Sequence, residues 1–154
     1  MDIALIEPEI PGNTGSIGRV CVGTGTRLHL VGQLGFSLDE KYVRRAGLDY
    51  WRHVQLQLHP DFSSFLQAMA GRTLHFYSAH GPTRYDRVRY GADDVLVFGG
   101  ESRGFPQEIR DQFAGQMCYL PTTGAIRSLN LANAVTAVLY EAARQNDFPF
   151  LLSP

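Results

Sequence analysis

Long apolar runs, lysine and paired cysteines are all scarce in this 154-residue chain, and each scarcity excludes something. No apolar run approaches the roughly 20 residues that span a bilayer, so no transmembrane helix is expected. The first residues, Met1 to Pro8, carry no positive stretch and too short an apolar run for a secretory signal; they read as a first strand. The two cysteines, Cys21 and Cys118, stand far apart, which excludes a disulfide framework and leaves a reduced, cytoplasmic setting as the expectation. The five histidines are scattered and none has ligand spacing to a cysteine or carboxylate, so no metal site is expected. Lys41 is the only lysine beside 13 arginines, and the net charge of −1 gives no global basic field. Arginine suits bidentate phosphate contacts, although a compositional bias of the host genome accounts for the imbalance equally well.

Several ligand motifs are missing too. No Gly-Lys-Ser/Thr occurs, which excludes a P-loop, and no Gly-x-Ser-x-Gly hydrolase elbow is present. Gly12, Gly15 and Gly18 open a helix after a strand, but their spacing is not that of a dinucleotide fingerprint. The second strand also ends in Val31-Gly32-Gln33, without the acid that would hold a ribose.

What is present is globular. Apolar residues make up 44% and charged residues 19%, and the length fits one domain over residues 1–154. Strands are expected at Ile3–Ile6, Leu28–Val31, around Val54–Leu58, Leu74–Ser78, Val95–Phe98 and Met117–Leu120. Helices are expected at Asn13–Thr24, after the N-cap Asp61, from Pro106 through Phe113, and from the N-cap Ser128 to about Arg144. Leu38–Ala46 reads as a short helix or ordered loop, and the segment from Ser78 to Asp93 as a polar loop. Regular alternation with apolar strands predicts an α/β fold, a parallel sheet covered by helices on both faces.

Two segments carry more than fold. Phe98 to Pro106 packs Gly99, Gly100, Glu101, Ser102, Arg103, Gly104 and the proline into nine positions. The plain reading is a strand-to-helix loop whose glycines permit positive φ. The richer reading is bare backbone offered to a ligand such as adenosine. Leu120 to Ala134 runs from a strand through a small-residue loop into a helix mouth holding Arg127, Asn130 and Asn133. Capping accounts for part of that cluster; contacts to a ligand's polar edge or an anion account for the rest.

Asn13…Arg19, Phe98–Pro106 and Leu120–Val138 are together similar to the three signature motifs of the SPOUT superfamily of RNA methyltransferases, on its SpoU branch. Glu7-Pro-Glu-Ile-Pro11, Asn13-Thr-Gly15, Arg44-Arg45-Ala-Gly-Leu-Asp-Tyr50 and Tyr140-Glu-Ala resemble in particular the small tRNA wobble-ribose methyltransferases, which act on cytidine or carboxymethylaminomethyluridine. Gly12 and Ser16 depart from that pattern, which often has proline and asparagine there. The resemblance implies a homodimer, a deep C-terminal trefoil knot and S-adenosyl-L-methionine (AdoMet) as cofactor. Carried over, the cofactor would lie against Tyr77, Ser78, Gly99, Gly100, Leu120, Ser128 and Leu129.

In-line methyl transfer to a ribose hydroxyl needs that hydroxyl held about 3–3.5 Å from the methyl carbon, with help in losing its proton. The resemblance implies catalytic roles for Arg19, Glu101 and Asn130, with Arg19 acting electrostatically because a guanidinium keeps its proton. Asn13, Lys41, Arg44, Arg45, Arg103 and Tyr140 would bind the tRNA anticodon stem-loop, tRNA-Leu being the expected substrate. Arg84, Arg87 and Arg89 would add phosphate contacts. A bare catalytic domain leaves RNA recognition to the dimer surface. Two rival expectations are another RNA ribose methyltransferase of the superfamily and a non-catalytic RNA-binding dimer.

Overall fold

The computed structural model describes residues 1–38 and 49–151. Its strands are β1 Asp2–Ile6, β2 Arg27–Val31, β3 Leu56–His59, β4 Leu74–Tyr77, β5 Thr83–Arg84, β6 Val95–Gly99 and β7 Met117–Tyr119. They form one sheet in the order β3-β2-β1-β6-β4-β7-β5, and every pairing is parallel. The helices are α1 Pro11–Thr24, α2 Phe62–Ala68, α3 Gln107–Phe113 and α4 Leu131–Gln145, with single 3₁₀ turns at Trp51–His53, Tyr85–Arg87 and Ala114–Gln116.

Alternation along the strands divides the core. Ile3, Leu5, Leu28, Leu30, Leu96 and Phe98 point to one face, where Ile17 and Cys21 of α1 and Val135, Val138 and Leu139 of α4 cover them. Ala4, Ile6, Val31, Phe76, Val95 and Val97 point to the other, under Phe65 of α2 and Ile109 of α3. The central strands β1 and β6 are buried along their whole length, as parallel strands with apolar cover on both sides must be. The expected two-sided α/β architecture is therefore the observed one. Among the described residues no helix is long and apolar enough to cross a membrane, and no group of three or more His, Cys, Asp or Glu could hold a metal ion.

Local chemistry sets the ends of the elements. Pro11 starts α1, and Gly25 ends it in the left-handed region at φ 66°. Asp61 caps α2 as expected, accepting from Ser64 N at 2.7 Å. Four expectations need correction. The cap of α4 is Asn130, whose Oδ1 accepts from the N–H groups of Ala132 and Asn133 at 3.0 and 3.3 Å; Ser128 lies two residues outside. Pro106 is the N-cap residue of α3 and not part of its first turn. The polar loop before Asp93 contains β5, two residues that pair with the edge of β7. Val54 closes a 3₁₀ turn, so β3 starts only at Leu56. The expected element Leu38–Ala46 lies almost wholly outside the described residues.

One polar cluster is buried within this frame. His29, at 0% exposure, directs Nε2 to Asp2 Oδ2 at 3.1 Å and Nδ1 to His59 Nε2 at 2.9 Å. Arg72 pairs with the same Asp2 oxygen. Burial opposes the charge on Asp2, but the hydrogen bonds from His29 and Arg72 outweigh it and hold the carboxyl well below the usual range. Burial, and then the neighbouring His29, push His59 below the ordinary histidine value.

Candidate functional site

Three neighbouring strands end together at the carboxyl edge of the sheet. Tyr77 is in register with Phe98 on one side and Cys118 on the other. The chain therefore leaves β4 at Ser78, β6 at Gly99-Gly100 and β7 at Leu120 on one level, the usual place for a ligand in an open parallel sheet. Ser78 N donates to Cys118 O at 2.9 Å, which prolongs the contact past the strand ends. Tyr77 itself is buried; its ring stacks on Phe98 at 4.7 Å and its hydroxyl bonds Tyr90 at 2.9 Å. Its main chain, not its phenol, is what a ligand could reach.

The turn after β6 is closed tightly. Gly104 N donates to Gly100 O at 2.9 Å. A Cβ on Gly99 would stand 2.4 Å from the Gly104 carbonyl carbon, and one on Gly100 2.7 Å from Glu7 O. Only glycine fits at either position.

From this turn Glu101 reaches back across the sheet. Its carboxylate accepts from Glu9 N at 2.7 Å, Ile10 N at 3.2 Å and Asn13 Nδ2 at 3.0 Å. Helix α1 has no side-chain cap of its own, so this carboxylate supplies acceptors and negative charge at a bare helix start. Asn130 Nδ2 then donates to Asn13 Oδ1 at 2.9 Å. The three motif segments thus meet through Asn13, Glu101 and Asn130. Glu9 strengthens the same junction: Ser102 Oγ and N donate to its carboxylate at 2.5 and 3.2 Å. Those bonds, the hydroxyl's above all, lower the Glu9 pKa. Arg127 Nη2 donates to Ser102 O at 3.0 Å, tying the loop before α4 to the turn. That loop is otherwise exposed, with Ser128 and Leu129 turned to solvent.

Beside the turn opens a cavity of about 520 Å³, lined among others by Glu7, Gln33, Arg103, Gln107 and Arg110. Glu7 adopts a left-handed backbone at φ 49°, held by its N–H to Val31 O at 2.8 Å. The Arg103 backbone reaches the Glu9 carboxylate, and its charge helps to lower the Glu9 pKa; its side chain makes no hydrogen bond or salt bridge among the described residues.

Arg19 stands apart from this junction. It lies six residues beyond Asn13 on α1, about 9 Å along the axis, and its guanidinium carbon sits 4.4 Å from the centre of the Tyr50 ring. Tyr50 ends the Arg44–Tyr50 stretch, and nothing local in the sequence marks it for a role. Tyr140 is not at the helix mouth: it lies nine residues along α4 and packs edge-on against Phe150 at 6.1 Å. Arg84 is already paired with Asp86 through two contacts. Lys41, Arg44 and Arg45 fall outside the described residues. The departures at Gly12 and Ser16 meet one another, since Ser16 Oγ donates to Gly12 O at 3.0 Å.

A parallel sheet whose strand ends face loops knit by Glu101, Asn13 and Asn130 is matched by a profile of the SpoU rRNA Methylase family over residues 1–140, and the chain belongs to that family. More particularly, it is similar to a tRNA (cytidine(34)-2'-O)-methyltransferase of Methylovorus glucosotrophus, 49% identical over 148 residues and 96% of each chain. The protein of that name from Escherichia coli K12 is 43% identical over 150 residues, covering 97% of this chain and 96% of its own. A structure solved for insight into the 2-OH methylation of C/U34 on tRNA superposes with a TM-score of 0.88 at 43% identity, covering 95% of both chains. The SpoU methyltransferase AviRb from Streptomyces viridochromogenes, solved with AdoMet, gives a TM-score of 0.80 at 27% identity over 96% of this chain and 60% of its own.

Proposed function

We propose that this chain is an AdoMet-dependent methyltransferase that methylates the 2'-hydroxyl of the wobble nucleotide of tRNA, either cytidine or carboxymethylaminomethyluridine. The observation that carries the reading is the junction of Asn13, Glu101 and Asn130 beside three strand ends that offer main chain to a ligand. The relatives named for cytidine-34 2'-O-methylation support the substrate.

The residues fit the cofactor. The ends of β4, β6 and β7 present peptide N–H and C=O groups at Tyr77-Ser78, Gly99-Gly100 and Leu120, and an adenosine needs such an edge. Partly exposed Leu129 adds apolar surface, and Ser128 a hydroxyl. Bound there, AdoMet would supply an electrophilic methyl group on its sulfonium.

The protein's own residues then have distinct tasks. Glu101 already accepts three hydrogen bonds, so its task is to fix the start of α1 against the turn. Asn130 joins the mouth of α4 to the same point. Arg19 is the group left to favour charge developing on the ribose oxygen, with its donors aimed at that oxygen or the adjacent phosphate. Arg103, beside the cavity, suits a phosphate of the anticodon loop, and Lys41, Arg44 and Arg45 extend that surface by charge.

A homodimer and the C-terminal knot belong to this proposal. Ile10, Ile126, Leu129 and Tyr140 are 49, 52, 38 and 46% exposed, which supports a second copy covering them. The insertion of β7 between β4 and β5, with Arg127 strapped to Ser102, supports a chain threaded through its own loop, a rare topology. One domain over residues 1–154 and a cytoplasmic setting complete it, the latter supported by two buried free cysteines. The test is transfer of labelled methyl from AdoMet to tRNA-Leu, with the product nucleoside identified. Label at a ribose other than position 34, or none, would refute the reading.

A further inference from the structure

We infer that Tyr50 is the positioning residue of Arg19: its ring carries the guanidinium, and no hydrogen bond or ion pair among the described residues takes up that group's N–H donors. This deepens the proposed function and rests on it.

Arg19 is exposed, and an exposed arginine samples many rotamers unless something holds it. Other arginines here are held through their N–H edges. Arg72, Arg84 and Arg144 pair with Asp2, Asp86 and Glu141, which takes up donors and offsets charge. Arg19 has neither hydrogen bond nor ion pair among the described residues; its contact is the Tyr50 ring, 4.4 Å from the guanidinium carbon. A guanidinium has five donors, all in its plane. A ring contact pairs with no acceptor and brings no opposite charge, so orientation is gained while the guanidinium keeps its charge.

The ring is itself fixed to the helix it serves. Tyr50 Oη donates to Gly15 O at 2.7 Å, the carbonyl that the helical pattern assigns to the N–H of Arg19. Tyr50 therefore grips the turn from which Arg19 projects. The next residue locks the register. A Cβ on Gly18 would stand 2.7 Å from Trp51 Cζ3 and 3.3 Å from Val54 Cγ2, so the missing side chain at Gly18 forms the notch that seats Trp51. Bond, notch and stack fall within about one turn of α1, at Gly15, Gly18 and Arg19, and none of them is part of the Glu101 junction.

The test uses the full-length protein, tRNA with a wobble cytidine, and AdoMet. Tyr50→Leu should lower kcat roughly ten- to a hundredfold, because small misplacement of a reacting contact costs that much, while AdoMet affinity stays within about twofold. Tyr50→Phe keeps the stack and loses only the bond to Gly15, so kcat should fall about threefold. In an Arg19→Ala background, Tyr50→Leu should add less than about twofold, whereas an unrelated structural role would multiply. Independently of activity, the Arg19 Nε–H resonance should carry a ring-current shift that Tyr50→Leu abolishes and Tyr50→Phe preserves. If Tyr50→Leu fails to fold, Gly18→Ala displaces Trp51 without altering either partner and should lower kcat at unchanged AdoMet affinity. An active wild type with an equally active Tyr50→Leu enzyme, or a multiplicative double variant, overturns the inference alone. An inactive wild type overturns the reading of function with it.

Discussion

Two polar networks cross the sheet, and they are built to opposite ends. Around Asp2, the carboxylate, Arg72, His29 and His59 satisfy one another inside the fold. Around Glu101, the carboxylate takes its hydrogen bonds from the backbone of a helix start and from Asn13, while the side chains of Arg103 beside the turn and of Arg19 farther along α1 have no hydrogen-bond acceptor among the described residues. Similar residue types serve cohesion in the first and exposure in the second. A charged group that has found all its partners is evidence about stability; one that is held in place without them is evidence about function.

The largest effect is expected from Arg19→Ala, which should reduce methyl transfer at least about a hundredfold, as loss of an electrostatic donor does, with AdoMet affinity retained in calorimetry. Near-normal turnover would place the open donors outside the chemistry. Glu101→Gln should come next: loss of the charge at the start of α1 should lower both activity and stability, the latter by about 1–3 kcal/mol in denaturant unfolding. A stable but inactive Glu101→Gln protein would instead give that carboxylate a direct chemical role.

Asp2→Asn should do the reverse of Arg19→Ala. It breaks a largely buried pairing and should cost about 2 kcal/mol of stability, a figure reduced for the partial exposure of Arg72, while the methylation rate of the folded protein stays unchanged. A loss of rate in the folded variant would join the two networks. The smallest effect is a pH limb. Asp2 and His59 both have pKa values lowered in the fold, so each contributes stability above its unfolded value that is lost as pH falls. The decline should begin near about pH 6.5 for His59 and continue below about pH 4 for Asp2. Thermal unfolding across that range checks it, and Asp2→Asn should flatten the lower limb.

Much of the frame was legible because it is local. Val95 to Phe98 is apolar without interruption, as a doubly covered strand must be, and Asp61 is a cap whatever surrounds it. The strand ends at Ser78, Gly99 and Leu120 followed from the same alternation. What was not legible depends on distance along the chain. Glu101 meets Glu9 and Asn13 across some ninety residues, and no periodicity records such a bond. β5 is two residues long and exists only because β7 offers an edge. Ser128 and Asn130 are equally good caps by type; the bond from Asn130 to Asn13 favours the second. Tyr50 could have been noticed only by knowing what stood opposite it.

Helix α1 is gripped at its start by Glu101 and at its middle by Tyr50, from segments some fifty residues apart in the chain. A rigid rod held at two points transmits displacement. Any ligand that shifts the turn at Gly100–Gly104 must either carry α1 with it or give up the bonds at Glu101, and α1 carries Arg19. Occupancy of the strand-end pocket and the aim of the guanidinium are then thermodynamically linked, and by reciprocity whatever Arg19 grasps feeds back on affinity at the pocket.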